Sequence, residues 1–252
     1  MRSLIRTDLS CAYHMAVPTR YSLQEVKEFA NETVGANGIL SISDRMAVQI
    51  TIRHEFLGAL CFEYRDIFID ASRLAHLLDA ANSGQREWLS THTLHEATLF
   101  IGYQLVSASP QSGSEPDNDI NTLARLGLIM FCLSFFRNFD AKIIESSSLG
   151  TATSLVVLVL KRQGLWVEEL VLWVLCLGHA VQIFGHTVMP SVMHRARLSV
   201  DALQLTSWDD TAQLLTKFPW SNALYGNAGK TLWDLLVMLP DLPPQSTRFD
   251  AV

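Results

Sequence analysis

The sequence predicts an all-α protein, and three observations support this prediction. Apolar residues recur at helical spacing along most of the chain, helix-capping residues precede many of these segments, and no convincing strand pattern appears. Hydrophobic residues make up 49% of the 252 residues and charged residues only 17%, so the chain can bury a sizeable core. We expect about nine or ten helices in a single multi-helical domain.

The first half of the chain contains several helical segments. Ser22 and Glu25 form a capping box that predicts a helix ending near Gly35. The stretch 43–84 is long enough for two helices, and 85–106 is a further amphipathic segment. The apolar residues at helical spacing in the first of these stretches include Phe56, Leu60, Ile67, Leu74 and Leu78. Ser, Pro, Asp and Gly dominate 107–119, which we predict to be a loop within the domain.

Apolar segments dominate the chain after this loop. We predict helices over 120–139 and 147–163, although the β-branched content of the second segment would also permit a strand. The segment 165–184 is predicted to be the central helix of the core. Its uncharged run, 170–185, has 16 residues, whereas a membrane-spanning helix needs about 20. We therefore favour a buried helix over a transmembrane helix.

Capping and breaking residues predict three helices near the end of the chain. Pro190 suits the first turn of one helix, and Ser207 with Asp210 caps the next, which should run through Lys217. Pro219 is then expected to separate this helix from the next one. Asn227 is expected to cap the last helix, which should stop at Pro240. These boundaries predict a flexible N-terminus over 1–20, a helical domain over 21–240 and a tail over 241–252.

Charge and cysteine content restrict the partners and cofactors. The net charge of -6 argues against direct nucleic-acid binding, and the basic cluster "HRAR", 194–197, is predicted to be a solvated helix face. The four cysteines are scattered without a C-x-x-C pair, which predicts free thiols in a reducing compartment and no zinc site. The N-terminus lacks a continuous apolar run and is not read as a signal peptide.

The segment "GNAGKT", 226–231, resembles the end of a phosphate-binding P-loop. That motif needs a glycine five residues before Gly229, and this position is Leu224. It also needs a preceding buried strand, whereas a helix ended by Pro219 precedes it here. We therefore predict no nucleotide site. Gly226 and Asn227 are expected to form a turn and cap, with Gly229 and Lys230 in the first turn of the last helix.

No other pattern predicts a catalytic, metal or cofactor residue. His92 and His95 with Glu96 match no metalloprotease motif and are assigned to hydrogen bonding. His179 and His186 are expected to be neutral core histidines. The carboxylate pairs 168–169 and 209–210 are explained as helix-capping charges. We therefore expect no enzyme activity, and the alternative is an enzyme with a pocket between helices that uses a histidine such as His179.

The tryptophans of the second half occur in an informative order. An apolar helix "LVLWVLCLGHA" contains Trp173 and Gly178, and "SWDD" contains Trp208. The turn "FPW" with Trp220 follows, and then comes "GKTLW" with Gly229 and Trp233. This ordered set resembles the C-terminal portion of the fungal-specific transcription factor domain, over roughly 165–238 of this chain. Because a buried tryptophan contributes a large apolar area, the same tryptophans are expected to hold the terminal helices onto the core.

The resemblance implies a regulatory helical domain that works through protein partners or a small effector in the nucleus. The binuclear zinc cluster that usually accompanies this domain has no counterpart in the sequence. We therefore expect no direct nucleic-acid binding by this chain and no membrane association, and a homo-oligomer stays open. The alternative is a helical interaction or scaffold protein in the cytoplasm, without a transcriptional role.

Overall fold

The computed structural model describes residues 19–26, 54–108, 119–136, 164–186 and 188–238. Within these ranges the protein is all-α, because no residue is in a strand. Residues 23–26 are helical. The helices that follow are α1 His54–Ala59, α2 Phe62–Asn82, α3 Thr91–Ser107, α4 Asp119–Phe136, α5 Leu165–Ala180, α6 Met189–Ala202, α7 Trp208–Leu215 and α8 Asn222–Met238. The predicted fold class is therefore confirmed.

Helix α5 is the centre of the described structure. Every residue from Val167 to Gly178 is buried, and α1, α4, α6, α7 and α8 all contact this helix. A helix that is apolar on every face is stable in water only when other helices cover it on all sides. The predicted buried helix is therefore confirmed, although it ends at Ala180 and not at Phe184. None of the described helices is long and apolar enough to cross a membrane.

Helices α2, α3 and α4 pack against one another. Helix α2 contacts both α3 and α4, and α4 packs on α5. The prediction of two helices in the stretch 43–84 agrees with α1 and α2, which are separated at residues 60–61. The apolar residues predicted for this stretch are all buried: Phe56, Leu60, Ile67, Leu74 and Leu78.

Local capping explains where several helices begin. Glu25 accepts a hydrogen bond of 2.7 Å from the Ser22 backbone N–H, so the first capping box is confirmed. Ser207 Oγ accepts a bond of 3.1 Å from the Asp210 N–H, as predicted for α7, which ends at Leu215. The prediction that a helix begins near residue 85 is wrong, because Ser90 caps α3 five residues later by accepting from the Thr93 N–H.

The predicted start of the last helix is also wrong. Helix α8 begins at Asn222, so Gly226 and Asn227 lie inside it and form neither a turn nor a cap, and Gly229 lies beyond its first turn. The reason is that a side chain from a distant helix caps the backbone at residues 222 and 223. Lys230 lies in the middle of the helix, where its Nζ forms an ion pair of 2.8 Å with Asp234.

Several sequence predictions fall outside the described residues. They are the helix end near Gly35, the loop 107–119 except at its two ends, the helix over 147–163, the stop at Pro240 and the thiol of Cys11. The division into an N-terminus, a helical domain and a tail at residues 20 and 240 stays a prediction.

Candidate functional site

The turn between α7 and α8, residues 216–221, is held in the core by aromatic contacts. Trp173 of α5 is fully buried, and its Nε1–H donates a hydrogen bond of 3.1 Å to the Pro219 carbonyl. The indole also stacks on Phe218, with ring centroids 5.5 Å apart and an interplanar angle of 13°. The buried indole N–H has its hydrogen-bond partner in the turn. Helix α5 therefore fixes the position of the turn that contains Pro219.

Contacts next to this turn explain why position 229 is a glycine. An ideal Cβ built on Gly229 would lie 2.5 Å from the Trp208 ring and 3.0 Å from the Trp220 ring. Trp220 is fully buried and donates from Nε1 to Asn222 Oδ1 at 2.9 Å, whereas Trp208 is half-buried. Any side chain at position 229 would therefore meet two indoles. We call Trp208, Trp220 and Gly229 the indole–glycine cluster.

The other residues of the ordered tryptophan set are Trp173, Trp233 and Gly178. Trp173 reaches the same turn through Pro219. Trp233 is half-buried and packs against the core. Gly178 is near the end of α5, where an added Cβ would lie 2.5 Å from the Phe184 ring. The structure therefore brings four of the six residues to the turn and its surroundings, and Gly178 packs elsewhere.

Helix α2 holds the same turn with two polar side chains. Asp79 accepts hydrogen bonds from Ser221 Oγ at 2.7 Å, from the Ala223 N–H at 2.9 Å and from the Asn222 N–H at 3.1 Å. His76 Nε2 lies 3.2 Å from the Thr216 carbonyl oxygen. The Asp79 carboxylate thus satisfies the backbone donors at the start of α8, which no side chain of the local sequence does.

A surface depression of about 380 Å³ lies beside this cap. His76, Asp79, Asn82, Gln85 and Asn222 are among the residues that line it. Both oxygens of the Asp79 carboxylate already accept hydrogen bonds from the start of α8. This carboxylate is therefore committed to the fold and is not available to a ligand in the depression.

Two carboxylates that the sequence analysis assigned to helix capping are instead buried in ion pairs. Glu168 Oε2 lies 2.7 Å from Arg195 Nη1, and Ser199 Oγ bonds to both groups. Glu169 Oε1 lies 3.2 Å from Lys217 Nζ. Glu168 does lie in the first turn of α5, as predicted, but Glu168 and Glu169 are only 3% and 4% exposed, so the helix N-terminus alone does not account for these buried charges. The sequence signal was their position at the start of a fully apolar helix, where carboxylates need partners.

The basic cluster at 194–197 is not a solvated helix face, so that prediction is also wrong. Arg195 is buried against Glu168, and Arg197 donates to the Leu236 carbonyl near the end of α8. Only His194 is exposed among the three basic side chains. These arginines therefore join α6 to α5 and α8, since each has its partner on a different helix.

The described histidines and thiols form no common site. His92 Nδ1 lies 3.2 Å from Glu96 Oε2 on the same helix. His179 is half-buried, and burial lowers its pKa, whereas His186 is exposed and is not the core histidine that we expected. Burial raises the pKa of the Cys176 thiol to about 12. In the described ranges, no three His, Cys, Asp or Glu side chains are grouped in a way that could hold a metal ion.

Comparison with known proteins adds no relative to this description. Family models, curated proteins and solved structures were each searched with this chain, and none of the three searches found a match.

Proposed function

We propose that this chain is a non-enzymatic regulatory domain of the fungal transcription factor type, which acts in the nucleus through protein partners or a small effector. The proposal rests on the order of the tryptophan motifs in the sequence. Because the chain carries a net charge of -6 and no zinc-cluster motif, it is proposed to act without reading DNA itself.

One structural observation carries the proposal furthest. Trp208, Trp220 and Gly229 pack together beside the turn 216–221, and Trp173 of α5 reaches the same turn through the Pro219 carbonyl. These residues therefore help to fix the last two helices on the core. The resemblance implies a fold in which they do so, and their shared location supports the proposal on that ground.

A reporter assay tests the proposal. The chain is fused to an unrelated DNA-binding domain and expressed in a fungal cell, where reporter output and the location of a fluorescent tag are measured. We expect a change in reporter output of at least several-fold and nuclear fluorescence of the tagged chain without the fused domain. No change in reporter output from a fusion that accumulates normally would overturn the proposal.

Two glycine variants serve as matched controls for the reporter assay. Gly229→Ala disturbs the indole–glycine cluster. Gly226 is on the same helix, and a Cβ added there would meet only the Asn222 Cβ, at 3.8 Å. We expect Gly226→Ala to keep the reporter effect and Gly229→Ala to weaken it. A separate mobility-shift experiment should detect no binding of the unfused chain to duplex DNA at physiological salt.

A second candidate, a helical interaction protein without a transcriptional role, is favoured by the exposed apolar residues of α8. Leu224 is 46% exposed, Val237 59% and Met238 75%. Val237 and Met238 are adjacent at the end of α8, and exposed apolar residues that lie together are typical of protein interaction sites. An unchanged reporter together with cytoplasmic fluorescence is the result expected for this candidate.

A further inference from the structure

We draw no further inference here: the strongest candidate, the surface depression between the end of α2 and the start of α8, belongs to the cap already described, because the Asp79 carboxylate that lines it is bound to the backbone of α8.

Discussion

Substituting alanine for Gly229 tests the packing of the indole–glycine cluster directly. In most helices such a change is stabilising, because glycine is about 1 kcal/mol less favourable than alanine in a helix interior. At position 229, however, the new methyl group would lie 2.5 Å from the Trp208 ring and 3.0 Å from the Trp220 ring. Trp220 cannot move away easily, because it is fully buried and hydrogen-bonded to Asn222.

The magnitude follows from comparison with Gly226 on the same helix. Gly226→Ala meets only the Asn222 Cβ at 3.8 Å, so it should raise the free energy of unfolding by about 0.5–1 kcal/mol. Gly229→Ala gains the same helix propensity but adds an overpacking cost of about 1–3 kcal/mol. The difference between the two variants isolates that cost, because propensity cancels. We therefore expect Gly229→Ala to be less stable than Gly226→Ala by about 1–3 kcal/mol.

Urea unfolding followed by circular dichroism measures both free energies of unfolding. Trp208→Phe provides a further check, because it removes the ring atom nearest to the new methyl group and should make Gly229→Ala less costly. If Gly229→Ala proves as stable as Gly226→Ala, the two indoles do not restrict position 229, and the account of this glycine is refuted.

Four other perturbations have defined outcomes. Arg195→Met should lower the free energy of unfolding by about 3–5 kcal/mol in urea, because it leaves Glu168 buried without its ion-pair partner; a loss as small as that of a surface variant would contradict this. Trp220→Ala should lower it by about 3–5 kcal/mol in the same assay, since the indole is fully buried. Hydrogen bonds from Ser207 and then Thr206 lower the pKa of Asp210, so its stabilising contribution is present above the unfolded pKa and is lost as pH falls through the folded pKa. An acid titration of stability should therefore show that the advantage of the wild type over Asp210→Asn disappears at low pH. Burial raises the pKa of the Cys176 thiol to about 12, so mass spectrometry should find this thiol labelled by a thiol reagent only after unfolding.

Features that depend on nearby residues could be predicted from the sequence. Ser207 and Asp210 are three residues apart, and both partners of the capping box lie within one helical turn. The central helix was predictable because its apolar run exceeds what a single helix face needs. In these features, all the residues that determine the structure are close together in the sequence.

Features that depend on distant residues were missed for a physical reason. The start of α8 is set by Asp79, which is 143 residues from Asn222 in sequence, so the local sequence wrongly indicated Asn227 as the cap. The need for a glycine at position 229 had no local signal, because the two indoles that require it come from outside α8. Glu168 looked like a capping charge because its partner, Arg195, is on another helix.

The cap that Asp79 provides for α8 also has a consequence for how the chain folds. Contacts between residues separated by more than a hundred positions form late, because a long loop must close before they contribute. Helix α8 therefore cannot reach its native start until α2 is in place, which makes the two helices parts of one cooperative unit. A nascent chain that stops before Ser221 would leave Asp79 without these backbone donors, so the described helices should acquire full protection from hydrogen exchange only after the last helix has docked.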